Sequence, residues 1–374
     1  MQHHWHMPVR VAFGDGVADQ WPSALGSRRA VVMAMAPAEE LGWKARISEA
    51  LQHRLIDWIP VPDDLSSIAR CRDLAPRVWA ALRQNRDAVL VALGGGTTLD
   101  VAKVLRCQPR ASDDFALVQA ALAGQSCWPE LDLAELWMVP TTAGTGSEVT
   151  RWATVWDTDA TPPVKRSFDE AFGFADRAFV DPVLTWSCPP SVTRDTALDA
   201  LSHALEAIWN HHATPLTDDL ALAAARRVIT FLPLALQYPR HPHARTELSL
   251  AALEAGMAFS QTRTALAHAL SYAMTLEQGV PHGLACAAWL PTAWDLACGK
   301  DPRTDRVLSQ VFAVSGSELG PQGARLGLPR LRSWLASVGV VGDLAALGVQ
   351  DGPRRVQAAL ESPRGRNFIG AGNG

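Results

Sequence analysis

The segment DAVLVALGGGTTLD, residues Asp87–Asp100, decides the fold class. Its apolar run is typical of a strand buried on both faces of a sheet. Three glycines follow the run directly, and a helical pattern covers Leu99–Leu105. A buried strand that passes through a glycine turn into a helix predicts a parallel sheet with helices packed against it.

The remainder of the first 180 residues repeats this alternation. Strand patterns occur at 29–35, 55–61 and 137–140, and helical patterns at 39–53 and 68–85. Beyond residue 181 the patterns are helical and rich in alanine and leucine, at 198–211, 218–236, 246–259 and 264–276. We therefore predict an α/β domain with a parallel sheet over residues 1–180 and an all-helical domain over residues 181–374.

The composition excludes several classes of protein. The chain has 374 residues, 48% of them hydrophobic, and a formal net charge of −4, which offers no general attraction to nucleic acid or anionic membranes. The sequence contains neither an apolar run of membrane-spanning length nor a signal-peptide pattern at its start. The six cysteines are scattered without a CxxC pair, as in proteins of reducing compartments. We expect a cytoplasmic protein with no nucleic-acid or membrane partner.

Two glycine-rich turns are candidates for binding a dinucleotide. Glycines at 94–96 let backbone amides approach a phosphate, and the following helix adds its N-terminal dipole. The second turn, TTAGTGSE at 141–148, also follows a strand and offers hydroxyl and amide donors. The first turn alone fits a purely structural role equally well. The two turns at the ends of parallel strands together predict a dinucleotide site.

One carboxylate and three imidazoles form a candidate metal site in the helical half. Asp199 and His203 lie four residues apart on one helical face, His268 lies in a later helical stretch, and His282 lies in the turn GVPHG. This set suits Fe²⁺ or Zn²⁺ with an open coordination position. The alternative is a surface Asp–His contact together with ordinary core histidines.

These residues together resemble the iron-containing (group III) alcohol dehydrogenases over nearly the whole chain. The resemblance implies the fold of that family and of dehydroquinate synthase, with an active site in a cleft between a dinucleotide-binding half and a metal-binding half. It implies four metal ligands: Asp199, His203, His268 and His282. It places the nicotinamide cofactor at Gly94, Gly95, Gly96, Thr97, Asp100, Thr141, Thr142, Thr145, Lys165 and Leu184.

The stretches around His268 and His282 look most like phosphonoacetaldehyde reductases. In that subgroup a basic residue precedes the third metal ligand, and Arg263 occupies that place, where it would hold an anionic group of the substrate. Arg151 is a second candidate for this role. Tyr272 stands where many relatives have a second histidine, and it either donates a proton or packs. Residues 33–37 contain no carboxylate to repel a 2′-phosphate, so the cofactor is either NADPH or NADH.

The implied reaction is reduction of a small, anionic aldehyde, such as phosphonoacetaldehyde, at Fe²⁺ or Zn²⁺ in a homodimeric enzyme. Three alternatives remain at this point. The nearest is a reductase of the same family that acts on maleylacetate or a simple alcohol. The others are a lyase of the dehydroquinate-synthase type and a metal-binding structural protein.

Overall fold

The computed structural model describes residues 4–62, 65–312, 319–342 and 344–371. These residues form two compact units. Of the described residues, the α/β unit contains those within 8–142 and 147–185, and the helical unit contains those before residue 8, residues 143–146 and those from residue 186 onward. The α/β unit thus extends past the predicted boundary at residue 180, and part of the second glycine-rich turn belongs to the helical unit.

The α/β unit is built on a parallel sheet of six strands in the order β1-β10-β7-β4-β2-β3. The remaining strands form two antiparallel pairs, β5–β6 and β8–β9, which the sequence did not predict. The strands are β1 (Arg10–Phe13), β2 (Ala30–Met35), β3 (Leu55–Val61), β4 (Val89–Gly94), β5 (Cys107–Pro109), β6 (Leu131–Leu133), β7 (Glu135–Pro140), β8 (Trp152–Asp157), β9 (Val164–Asp169) and β10 (Arg177–Val180).

The order of the strands reverses between β2 and β4. From β2 the chain continues outward to β3 and then crosses back to β4 on the other side of β2. Such a reversal opens a crevice at the carboxyl ends of the two strands, where ligands of open α/β sheets bind. Gly94 ends β4 and Met35 ends β2, so the first glycine-rich turn lies at this point.

The helices of the α/β unit confirm the predicted alternation. They are α1 (Trp21–Ala24), α2 (Trp43–Leu51), α3 (Ile68–Gln84), α4 (Gly96–Leu105) and α5 (Ala116–Leu122). Helix α2 begins later than the pattern at 39–53 predicted, because Gly42 before it adopts a left-handed conformation. Helix α4 begins earlier than predicted, directly within the glycines.

The helical unit is arranged around α6, in which every residue from Ala197 to Ile208 is buried. Helices α7, α8 and α10 pack against α6. Among the described residues of this unit, six helices have proline in their first turn, where its missing N–H costs nothing. The helices are α6 (Pro190–Ile208), α7 (Pro215–Gln237), α8 (Pro242–Thr262), α9 (Leu266–Gln278), α10 (His282–Ala297), α11 (Pro302–Val311), α12 (Pro321–Ser337) and α13 (Gly352–Glu361).

The structure corrects the position of His282. The sequence placed it within a turn, but it is the first residue of α10. Gly279 ends α9 in a left-handed conformation, so the turn is complete before His282 and the new helix begins there. Within the described part of the chain, no helix has the length and hydropathy needed to cross a membrane.

Candidate metal centre and dinucleotide turn

Helix α6 presents the first two predicted metal ligands from within the core of the helical unit. Asp199 and His203 are separated by one helical turn, and both are buried. Oδ1 of Asp199 lies 3.9 Å from Nε2 of His203. The four-residue spacing recognised in the sequence therefore does bring the carboxylate and the imidazole onto one face of a helix.

Helices α9 and α10 bring the other two histidines to the same oxygen atom. Oδ1 of Asp199 lies 3.5 Å from Nε2 of His268 and 4.0 Å from Nε2 of His282. Two ligands bound to one ion at about 2.1 Å with tetrahedral angles are about 3.4 Å apart. The His268 nitrogen lies at about this separation from the carboxylate oxygen, and the nitrogens of His203 and His282 lie somewhat farther away, within 4.0 Å.

Two of these donor atoms are buried without a hydrogen bond. Among the described residues, none gives a hydrogen bond of acceptable geometry to Oδ1 of Asp199 or to Nε2 of His268. A buried polar atom without a partner costs free energy, so a binding cation is the natural complement of this pair. On this observation the residues fit a bound Fe²⁺ or Zn²⁺.

A second layer of residues orients the imidazoles. Nδ1 of His268 lies 2.6 Å from Oε2 of Glu206, whose side chain is fully buried in α6. The same carboxylate accepts hydrogen bonds from the backbone N–H groups of Ala265 and His268, at 2.8 and 3.1 Å. Ser271 Oγ lies 3.5 Å from Nδ1 of His282. In His268 the Nε2 atom is therefore left for the ion, as in metal sites whose other ring nitrogen is held by the protein.

The electrostatics of the cluster favour its metal-binding protonation states at Asp199 and His203. Burial alone would raise the pKa of Asp199, but the three imidazoles around it hold that pKa below its usual value. Burial lowers the pKa of His203 to about 4, so this imidazole is neutral near pH 7. Burial would lower the pKa of His268, but Cys286, Glu206 and Asp199 raise it above its usual range.

The cluster opens to solvent at His282. The side chain of His282 is 33% exposed, whereas those of Asp199 and His268 are 7% and 2% exposed. The ring of Tyr272 stacks parallel to that of His282 at 6.1 Å between centroids, and the guanidinium of Arg364 lies 5.4 Å from the Tyr272 ring. The cluster is therefore most accessible beside His282, where the tyrosine ring and a cation lie nearby.

Three residues of this site were missed in the sequence. Glu206, three residues after His203, continues the face of α6 that carries Asp199 and His203, and this spacing is a signal that could have identified it. Cys286 follows His282 by one helical turn, and its Sγ lies 3.8 Å from Nε2 of His282. Arg364 gave no usable signal, because only tertiary packing brings it close to Tyr272.

Arg263 lies in the connection between α8 and α9. Its side chain is exposed, and its backbone has φ 70° and ψ 171°. Residues other than glycine rarely adopt this conformation, which costs of order 1–3 kcal/mol. The carbonyl of Arg263 accepts a hydrogen bond from Nδ2 of Asn210 at 3.2 Å. The guanidinium of Arg151 pairs with Asp169 at 2.8 Å within the α/β unit, and its role toward the substrate stays a prediction.

In the α/β unit the first glycine turn has the form of a phosphate cradle. Helix α4 begins at Gly96, and among the described residues no side chain caps its N-terminus at Gly95. A Cβ atom added at Gly94 would lie 2.5 Å from Oγ1 of Thr98, and one at Gly95 would lie 3.2 Å from Cγ2 of Thr142. Glycine at position 94 thus avoids a clash with Thr98, and the helix dipole favours an anion at the N-terminus of α4.

The other predicted cofactor residues divide into those around this turn and those elsewhere. The backbone N–H of Thr141 donates to the carbonyl of Gly94 at 3.0 Å, and its hydroxyl lies 3.3 Å from Sδ of Met35. Leu184 lines an apolar cavity of about 140 Å³ together with Trp21, Leu93 and Val139. Thr97 lies in the first turn of α4, and Lys165 lies in β9 over the ring of Trp156.

Asp100 and Thr145 have structural surroundings that the sequence did not indicate. Both carboxylate oxygens of Asp100 are already engaged, one by the hydroxyl of Ser147 at 2.7 Å and the other by the N–H of Thr154 at 2.8 Å. Thr145 belongs to the helical unit, in a loop whose glycines pack against α6 and α8. A Cβ at Gly144 or Gly146 would come within 2.6 Å of backbone atoms of those helices. The cofactor roles of both residues stay predictions.

Comparison with known proteins identifies relatives of both units. The family model described as iron-containing alcohol dehydrogenase matches residues 8–182. The model for the C-terminal part of the Fe-containing alcohol dehydrogenase family matches residues 193–365. The two matches together cover all the predicted metal and cofactor residues except Leu184.

Individual relatives agree with these matches. The probable alcohol dehydrogenase EutG of Salmonella typhimurium is 38% identical over 58% of this chain and 53% of its own length. The sulfoacetaldehyde reductase of Bilophila wadsworthia is 30% identical over 67% of this chain and 63% of its own. The chain thus spans less than two thirds of either relative. A crystal structure of sulfoacetaldehyde reductase from Bifidobacterium kashiwanohense in complex with NAD+ has the same fold, with a TM-score of 0.85, 24% identity and coverage of 99% of this chain and 95% of that one.

Proposed function

The chain belongs to the iron-containing alcohol dehydrogenase family, and from that premise we propose that it is a metal-dependent NAD(P)H oxidoreductase that reduces a small aldehyde. One observation carries the proposal: the Nε2 atoms of three histidines lie within 4.0 Å of Oδ1 of one buried aspartate. The family membership argues against the lyase of the dehydroquinate-synthase type, and the uncapped glycine turn argues against a purely structural metal protein.

The reaction transfers hydride from NADPH or NADH to the aldehyde carbon, and a proton completes the alcohol. A bound Fe²⁺ or Zn²⁺ would supply Lewis-acid polarisation of the carbonyl oxygen. Asp199, His203, His268 and His282 would hold the ion, and Glu206 fixes the orientation of His268. The turn at Gly94–Gly96 would hold the cofactor diphosphate.

We further propose that the aldehyde carries an anionic group, with phosphonoacetaldehyde as the favoured substrate. Two arginines support this substrate class. Arg263 is exposed in the loop that leads into α9, the helix of His268, and Arg364 lies against Tyr272 beside His282. A guanidinium can bind a phosphonate or carboxylate through two hydrogen bonds. That one relative is named a sulfoacetaldehyde reductase is in keeping with an anionic aldehyde.

A substrate panel with a metal titration tests the proposal. The metal-free protein is loaded with Fe²⁺ or Zn²⁺, and oxidation of NADPH and NADH is followed with phosphonoacetaldehyde, sulfoacetaldehyde, maleylacetate and propionaldehyde. We expect turnover that depends on the metal and is fastest with phosphonoacetaldehyde. Faster turnover of propionaldehyde would assign the chain to the simple alcohol dehydrogenases. Faster turnover of maleylacetate would assign it to the maleylacetate reductases.

A pair of variants distinguishes loss of the metal centre from general damage to the fold. His268→Ala should abolish turnover and strongly reduce bound metal, whereas His212→Ala, an exposed histidine of the same unit, should change neither. Full activity of metal-free His268→Ala would overturn the proposed chemistry. The cytoplasmic location and the homodimer expected from the sequence stay predictions.

A further inference from the structure

Cys286 lies within the proposed metal centre. It is fully buried on α10, one helical turn after His282. Its Sγ and the donor atoms of Asp199, His268 and His282 all lie within 4.8 Å of one another. His203 is not a member of this compact group, although its Nε2 lies 3.9 Å from the Asp199 carboxylate.

The distances suit a sulfur ligand of the same ion. Sγ of Cys286 lies 3.8 Å from Nε2 of His282. A Zn–S bond of about 2.3 Å and a Zn–N bond of about 2.1 Å at a tetrahedral angle place sulfur and nitrogen about 3.6 Å apart. The same Nε2 atom also faces the Asp199 carboxylate, so sulfur and oxygen approach the imidazole on its metal-binding side.

The surroundings distinguish Cys286 from a cysteine that only fills space. Cys71 and Cys107 are also buried, but among the described residues neither belongs to a comparable group of metal-ligand donors. Cys286 instead faces donor atoms that are themselves buried, including Oδ1 of Asp199 and Nε2 of His268, which make no hydrogen bond to any described residue. A single ion between these atoms would satisfy all of them at once.

We propose that Cys286 binds the metal as a thiolate, beside Asp199, His268 and His282, with the thiol proton released to solvent on binding. This inference rests on the proposed metal centre. His203 keeps its predicted place as a further donor. Because a thiolate is a softer ligand than imidazole or carboxylate, its presence favours Zn²⁺ over Fe²⁺ in this chain.

Cobalt substitution tests the sulfur ligand by spectroscopy rather than by activity. The metal-free full chain is loaded with Co²⁺, bound cobalt is counted by elemental analysis, and the near-ultraviolet absorption is recorded. A thiolate bound to Co²⁺ gives a charge-transfer band that oxygen and nitrogen ligands do not give. We expect this band in the wild type and in Cys298→Ser, a control at the end of the same helix, and its loss in Cys286→Ser.

The outcomes separate this inference from the proposed function. One equivalent of bound Co²⁺ without the band, or a band that persists in Cys286→Ser, would overturn the sulfur ligand and leave the metal centre standing. Failure of the wild type to bind Co²⁺ at all would overturn both. If Cys286→Ser does not fold, the wild-type spectrum still shows whether a thiolate binds the ion. Cys298→Ser then shows whether Cys298 is the source of the band.

Discussion

The carboxylate of Glu206 lies 2.6 Å from Nδ1 of His268, and both side chains are almost completely buried. The same carboxylate accepts the N–H groups of Ala265 and His268 at the start of α9. Glu206 therefore fixes both the first turn of the helix and the ring that it carries. Its effect on the metal is indirect, through the orientation and basicity of the imidazole.

We predict that Glu206→Gln weakens metal binding by about 10- to 100-fold while the protein remains folded. Glutamine has nearly the same shape but carries no negative charge to stabilise the metal-bound imidazole. Competition with a chromogenic chelator measures the affinity, and circular dichroism checks the fold. Glu254→Gln, which alters an ion pair with Arg227 in the same unit, serves as the control. Unchanged metal affinity in Glu206→Gln would remove Glu206 from the centre.

Gly283 permits the close packing of α10 on α6. A Cβ atom at this position would lie 1.8 Å from the carbonyl oxygen of Asp195 and 3.0 Å from the backbone nitrogen of Asp199. We predict that Gly283→Ala pushes His282 away from Asp199 and destabilises the fold by roughly 1–3 kcal/mol or more. Urea unfolding and metal titration measure both effects. Gly352→Ala, where the added methyl meets only ordinary contact, should be nearly neutral.

Replacement of the two arginines tests the anionic substrate. A charged hydrogen bond contributes about 1.5–3 kcal/mol, so Arg263→Ala should lower kcat/KM for phosphonoacetaldehyde by about 10- to 100-fold. The value for propionaldehyde should not change. Alanine keeps the backbone strain at this position, so the comparison isolates the side chain. Arg364→Ala tests the second cation, and Arg330→Ala on α12 is an exposed control. An equal loss for both aldehydes would contradict the assignment.

The stability of the α/β unit should depend on pH through Lys103. This lysine is buried, its Nζ donates to the carbonyl of Trp152 at 2.6 Å, and burial lowers its pKa from 10.5 to about 8. The unfolded chain therefore binds more protons between these values, and stability rises with pH across that range. From about pH 8 to pH 10 the expected gain is about 2 kcal/mol. Urea unfolding at several pH values should show this rise in the wild type, and its persistence in Lys103→Met would contradict the prediction.

Much of the fold follows from local patterns in the sequence. The apolar run ending at Gly94 predicted β4 correctly, because a strand buried on both faces needs apolar residues at every position. The antiparallel pair of β8 and β9 was missed. Its strands contain charged residues such as Lys165 and Arg166, and they lack the alternation that identifies a half-buried strand.

The residues of the candidate site were likewise predicted only in part. The spacing of Asp199 and His203 defined one face of a helix, and the structure confirms that both side chains lie together there. Glu206 and Cys286 each lie close in sequence to a predicted ligand, yet one turn of helix brings many residues equally close. Only the packing of α9 against Glu206 and of α10 against Asp199 distinguishes these two from their neighbours.

By itself the sequence determined the chemistry that is available: which residues are carboxylates, imidazoles and glycines, and which segments form strands and helices. Local periodicity carries this information because it reflects which face of each element is buried. The tertiary structure alone decided that α6, α9 and α10 bring their polar atoms to one point, and that Arg364 reaches Tyr272. Such contacts depend on the packing of segments that are far apart in the chain, and no periodicity within a single segment encodes them.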